Sequence, residues 1–194
     1  MSLPIVLQRA KALGYKVFDG DAEYDLNIVG IRSKDNTPNV FNDLMTVHYK
    51  VKGQWITRSW QCTTDPGTYW VENPMNVAGC AKVVPGQYRG SHKIRKHRGQ
   101  YEALCQRGNI RIFRDADMDA DYEEDDSTIK EGSSMGINIH RASYRRTSTR
   151  VDKWSAGCQV FADPDDFAEF MKLAKKQVSV NGWESFTYTL LEEW

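Results

Sequence analysis

The sequence predicts a β-rich α+β domain, on three observations. Short alternating or β-branched runs recur, each bounded by Gly, Pro, Asn or Asp. One strongly capped helix stands near the C-terminus. No linker, internal repeat or low-complexity tract interrupts residues 1–194, which read as a single domain.

The elements follow in order. MSLPIVLQRAKALG reads as a short amphipathic helix with Ile5, Val6, Leu7, Ala10 and Leu13 as its apolar positions. Strands are expected over Leu26–Arg32, Leu44–Val51, Trp55–Cys62, Cys80–Val84 and Asn109–Arg114. Lys52-Gly53 marks a hairpin turn between the second and third. Met135–His140 and Gly157–Phe161 read as buried strands, and Trp183–Leu191 as the last. Asp163 caps the C-terminal helix, Pro164 fits its first turn, and Asp165 and Asp166 favour its positive end. Phe167, Phe170, Met171 and Ala174 recur at helical spacing, and Asn181-Gly182 ends the helix.

Lys and Arg total 26 and so do Asp and Glu, so no global charge draws the chain to nucleic acid or to a membrane surface. No stretch has the apolar length of a membrane span, and the N-terminus lacks the marks of a signal peptide. The four cysteines, Cys62, Cys80, Cys105 and Cys158, match no zinc spacing. The first three are expected as small buried hydrophobes.

Chemistry concentrates in MGINIHRASYRRTSTRVDKWSAGCQVF, residues 135–161. His140 ends one apolar run, Cys158 lies inside the next, and a polar loop of 142–153 joins them. If the runs pair, imidazole and thiol meet across the sheet. A thiolate–imidazolium pair is then expected, with activity that follows its ionisation. Gly157, lacking a Cβ, lets the backbone turn beside the nucleophile. The competing reading is that His140 and Cys158 are ordinary core residues.

Ile139-His140 followed by Ser155-Ala156-Gly157-Cys158-Gln159-Val160 resembles the L,D-transpeptidase (YkuD) signature. The separation of 18 positions from His140 to Cys158 fits that family. Val84-Pro85-Gly86-Gln87-Tyr88 resembles its Pro-x-Gly-x-Tyr strand start. The wording is similar to a divergent branch found in tailed bacteriophages. The resemblance implies a mixed β-sheet or sandwich with a few helices, a catalytic core over 80–162, and an N-terminal extension over 1–60. It implies Cys158 as nucleophile and His140 as base, with the Arg141 carbonyl orienting the ring. It assigns the oxyanion hole to the Gly157 and Cys158 N–H groups, and makes Ser155 a brace for the turn. Ala156 stands where the family has a second His, which favours hydrolysis over cross-linking. The implied partner is a peptidoglycan stem peptide, cleaved or cross-linked through a thioester. The phage likeness implies an endolysin-like, wall-degrading role. Such an enzyme would await release in the cytoplasm of the producing cell or travel with the virion.

Other features carry two readings each. His97, in the basic run 89–98, either binds a substrate carboxylate or is a solvated surface residue, and His92 is expected to be exposed. Arg141, Arg145, Arg146 and Arg150 either recognise anionic substrate or solvate the loop. Trp154 would wall the cleft, and Trp55, Trp60, Tyr69 and Trp70 either form a stacking face or pack the core. Asp115, Asp117, Asp119, Asp121, Glu123 and Asp126 echo a Ca²⁺ loop, but Ala120 replaces its Gly and Asp126 its Glu. No other cofactor is expected. The alternative to an enzyme is an inactive wall-binding or virion structural module of the same fold.

Overall fold

The computed structural model describes residues 2–119, 121, 122 and 124–194. Its helices are α1 (Ile5–Ala12), α2 (Thr68–Glu72) and α3 (Pro164–Asn181). Its strands are β1 (Asn27–Arg32), β2 (Asp43–Val51), β3 (Gln54–Thr63), β4 (Cys80–Val83), β5 (Gly86–His97), β6 (Tyr101–Gln106), β7 (Ile110–Asp115), β8 (Lys130–Gly132), β9 (Ile139–Arg141), β10 (Gln159–Phe161) and β11 (Ser185–Glu192). The β-rich α+β class holds. Eight strands close into a barrel in the order β1-β11-β5-β6-β9-β10-β3-β2, and β4-β7-β8 form a separate sheet. Against the expected mixed sheet or sandwich, parallel and antiparallel pairings do mix, but in one closed ring. Closure comes from the chain ends, since β1 pairs in parallel with β11 and antiparallel with β2. Residues expected as an N-terminal extension therefore supply three barrel strands.

Alternation along the strands explains the layering. Ile28 and Leu190 face the main core, while Val29 and Leu191 face out and receive Leu7 and Ala10 of α1. Phe167, Phe170, Met171 and Ala174 of α3 enter the main core beside Trp60 and Phe161. Asp163 accepts from Asp165 N–H at 2.8 Å and Asp166 N–H at 3.4 Å, and Gly182 (φ 71°) ends the helix as expected. Lys52 and Gly53, at φ 50° and 72°, form the hairpin turn.

Four expectations change. The basic run is most of β5, in which Arg89, Arg95 and Lys96 are exposed while Tyr88, Ser91, His92 and His97 are buried. His92 is fully buried rather than exposed. Its Nδ1 meets Ser91 Oγ at 2.9 Å and its Nε2 meets the Ile137 carbonyl at 3.1 Å. The strand expected over Met135–His140 shrinks to its end. Residues 136–138 leave the ladder because Gly136 takes φ 76° and Ile137 N–H is claimed by Gln106 Oε1 at 3.0 Å. The aromatic run 54–70 is not one face, because Trp60 is 6% exposed and donates to Glu169 at 3.1 Å. Cys62, Cys80 and Cys105 are buried free thiols, as expected. Among the described residues no helix is long and apolar enough to cross a membrane.

Burial holds His48 and His92 at about 4 and His140 at about 3, against 6.5 for a free imidazole. Unfolded chains bind protons at these sites below pH 6.5 while the folded protein does not, so the stabilisation is complete above 6.5 and lost as pH falls toward 4. Urea unfolding should lose up to about 1.4 kcal/mol per pH unit per histidine across that window. A flat stability from neutrality to the acid side would contradict this burial.

Candidate functional site

The site is built on the parallel pair β9–β10, in register at Gln159↔Ile139, Val160↔His140 and Phe161↔Arg141. Parallel neighbours need a crossover, and residues 142–158 supply it without a helix. That crossover is clamped. Ala142 N–H donates to the Phe161 carbonyl at 3.0 Å, Ser148 N–H to Ala162 at 2.9 Å, and Gly67 N–H to Ser155 at 2.9 Å. A Cβ on Gly67 would lie 1.9 Å from the Asp152 carbonyl oxygen, so only glycine permits this approach.

Cys158 sits two residues before Val160, the register partner of His140. Thiol and imidazole therefore share one face of the pair, while Ile139 and Phe161 point to the core. The turn before Cys158 is held by Ser155, which is fully buried. Its Oγ donates to the Cys158 carbonyl at 2.8 Å and accepts from Gly157 N–H at 3.2 Å. Gly157 has φ 117°, and a Cβ there would lie 2.6 Å from the Ala81 carbonyl oxygen on β4. One expected role changes here. Gly157 N–H is spent on Ser155 and does not face an oxyanion, whereas Cys158 N–H makes no hydrogen bond among the described residues.

His140 is 4% exposed. Its Nδ1 donates to the Arg141 carbonyl at 2.8 Å, with the Tyr101 hydroxyl 3.4 Å from the same nitrogen. That tautomer leaves the Nε2 lone pair free to take a proton. His97 stacks on the ring with centroids 4.2 Å apart, and Asn138 Nδ2 donates to His97 Nδ1 at 3.1 Å. Asn138 N–H also donates to Cys158 Sγ at 3.5 Å, and the thiol donates to the Gly136 carbonyl at 3.3 Å. Among the described residues no hydrogen bond joins Cys158 to His140, so proton transfer requires the thiol to turn away from Gly136.

Burial works against the expected thiolate–imidazolium pair. Burial pushes the Cys158 thiol up to about 11, against smaller opposing effects from Asn138 N–H and the Arg98 charge. Burial pulls His140 down to about 3, helped by His97 and the Arg98 and Arg141 cations. Both shifts favour a neutral thiol beside a neutral imidazole.

The structure brings His97 to the site, as a buried residue at the end of β5 and not on a solvated loop. Arg141 lies over the Tyr101 ring, 3.7 Å from its centroid. Arg145 does not join them. It is exposed, and its Nε donates to the Tyr144 hydroxyl at 2.7 Å. Arg150 lies 3.8 Å from Asp152, with both side chains largely exposed. Trp154 is 44% exposed on the crossover, and among the described residues it makes no hydrogen bond to Cys158 or His140. Asp115 is buried at the end of β7, while Asp117, Asp119 and Asp121 accept from nearby backbone N–H groups. Ala120 and Glu123 of the calcium pattern lie outside the described residues, among which no three His, Cys, Asp or Glu side chains cluster to hold a metal.

Asn138, Tyr101 and Arg98 are contributors that sequence reasoning missed. The alternation Tyr101, Ala103, Cys105 was a signal for β6. Nothing local marked Asn138, whose role depends on cross-strand register. A cleft of about 500 Å³ opens beside Tyr101 and Arg141, and one of about 200 Å³ borders Ala156 and Met135.

Gly157→Ala should destabilise the fold by at least about 1–3 kcal/mol through backbone strain alone, with the Ala81 contact added. A thermal melt unchanged from the parent would show that the turn is not constrained as described.

Comparison with known protein families, with curated proteins and with solved structures returned no match.

Proposed function

We propose that the protein is a cysteine-dependent acyl-transfer enzyme of the L,D-transpeptidase (YkuD-like) type, acting on peptidoglycan stem peptides. The observation that carries this reading is the His140 geometry. Nδ1 is tied to the Arg141 carbonyl, Nε2 is free, and Cys158 lies on the same strand face after a glycine-dependent turn. A core histidine and a core cysteine have no need of that combination.

The steps follow from the neutral pair. As Cys158 Sγ attacks the substrate carbonyl carbon, His140 Nε2 takes the thiol proton. Cys158 N–H, which makes no hydrogen bond among the described residues, receives the oxyanion, and such a donor is typically worth about 3 kcal/mol of barrier. The C–N bond breaks, the imidazolium returns the proton to the leaving amine, and a thioester remains. Water or an amine then attacks the thioester, with His140 again the base. Ala156 keeps that side of the turn small and apolar, which favours water and a wall-degrading role of the phage endolysin kind.

A second reading, an inactive wall-binding or virion module, gains weight from the resting electrostatics, because a thiol at about 11 is not poised for attack. Digestion of purified peptidoglycan with mass spectrometry of the released muropeptides separates the two. The parent should release or rearrange stem peptides, and Cys158→Ala should lose at least about a hundredfold in rate with an unchanged melt. Equal products from both proteins would end the enzymatic reading.

Iodoacetamide labelling tests the neutral pair directly. Cys158 should label faster than Cys62, Cys80 and Cys105, which are buried. Its rate should still be climbing at about pH 9, because only the thiolate reacts. A plateau near neutrality would mean that an ion pair forms at rest.

A further inference from the structure

We propose that the cleft across the ring from Cys158, between the entry to β1 and the turn after α3, is a carbohydrate subsite built on Asp25, Arg89 and Trp183. Its ligand class is a neutral pyranose sugar, held by its hydroxyls and by its C–H face. That the sugar is the glycan of the cell wall rests on the proposed function; the sugar site itself does not.

The fold sets the position. In the ring order β11 stands four strands from β10 in either direction, so a site on its outer face is remote from the thiol. Phe186 and Tyr188 of β11 and Tyr88 of β5 fill the core, which leaves Thr187 and Arg89 on the outside. The segment before β1 is fixed over that outer face. Gln87 Oε1 accepts from Lys16 N–H at 2.9 Å, and Asn27 Oδ1 accepts from Phe18 N–H at 2.8 Å. Gln177 of α3 is buried and ties the two sides of the cleft together. Its Oε1 accepts from Leu26 N–H at 3.1 Å, and its Nε2 donates to the Trp183 carbonyl at 3.2 Å. One buried amide therefore anchors the chain on either side, next to Asp25 and at Trp183. The cleft between them holds about 550 Å³, the size of a small-molecule site.

Chemistry sets the ligand. Asp25 is half-buried, and among the described residues its carboxylate makes no hydrogen bond or ion pair. Burial pushes its carboxyl up, against a smaller pull from the Lys16 charge. Arg89 is exposed, and its guanidinium is equally without a partner among the described residues. Trp183 is 45% exposed, and its indole N–H donates to no described residue. Glu184, the next carboxylate along the chain, is taken by Lys93 at 2.7 Å. A cation in this cleft would meet Arg89 and an anion would meet Asp25, so a ligand of single charge is opposed by one wall. A neutral ring with several hydroxyls is served by both walls. Asp25 accepts from neighbouring hydroxyls in charge-assisted bonds, and Arg89 donates its fork to sugar oxygens. The indole and Phe18, which also lines the cleft, supply the apolar surface for the C–H face.

The test titrates the isotope-labelled full chain with the N-acetylglucosamine tetramer and reads the indole N–H signals by NMR. The Trp183 signal is the one missing from Trp183→Phe. In the parent it should move with sugar and saturate. Asp25→Asn should weaken binding about tenfold, the size of one charged hydrogen bond. Arg89→Gln should weaken it too, whereas Glu184→Gln, whose carboxylate is paired elsewhere, should leave it unchanged. A Trp183 signal that does not move with sugar overturns the site. So does one that answers to glycylglycine and not to sugar, or sugar binding unaltered in folded Asp25→Asn. Should Asp25→Asn not fold, the parent titrations with sugar and with glycylglycine still decide. The wall assignment has its own readout: Asp25→Asn should raise KM for intact peptidoglycan and leave KM for soluble stem peptides as in the parent. An unchanged KM on intact wall overturns that assignment. Sugar binding by a protein inert toward wall fragments would leave the subsite standing and remove the acyl-transfer reading. Turnover without sugar binding would do the reverse.

Discussion

The short parallel ladder between Ile139–Arg141 and Gln159–Phe161 is the constraint on which the rest depends. It is only three residues long, and it sits in the barrel wall between β6 and β3. Its inner face is filled by Ile139 and Phe161, and by Gln159, whose side chain accepts from the Tyr188 hydroxyl at 2.6 Å. Burying Gln159 is affordable only because that contact and its bond to the Gly157 carbonyl satisfy it. The same ladder carries His140 on its outer face and leads directly into Cys158. Core packing and site geometry are thus two faces of one short pair.

Around this pair the protein trades regular structure for fixed geometry. Asn138 has left the strand, yet each of its polar groups is used. Its carbonyl accepts from Gln159 N–H, Oδ1 from Gln106 N–H, Nδ2 donates to His97, and its N–H to Cys158. One residue therefore ties β6, β10, the second histidine and the sulfur together. His92 supports it from behind by accepting no solvent and holding the Ile137 carbonyl. Burial disfavours the charged form of both His140 and Cys158, so the pair is held toward its neutral state.

How much of this the sequence made legible varied with the range of the cause. The β2–β3 turn was readable because Lys52-Gly53 signals it locally, and α3 because Asp163, Pro164 and Gly182 lie at its ends. The link from His140 to the Arg141 carbonyl is also local and lies where the resemblance placed it. β5 was not readable, because its lysines and arginines hide a strand whose burial is decided by its neighbours. His92 was misjudged for the same reason. Barrel closure through β1 and β11, and the contacts of Asn138 and Tyr101, depend on pairings far apart in the chain. The spending of Gly157 N–H on Ser155 was invisible for a subtler reason, since the motif shows which residues form the turn but not where its donors point.

The nucleophilic role of Cys158 is tested most directly by catching its covalent intermediate. Intact-protein mass spectrometry after brief exposure to stem-peptide fragments should show an acyl adduct that hydroxylamine removes and that maps to Cys158. Cleaved fragments with no adduct, or an adduct on another residue, would contradict the account.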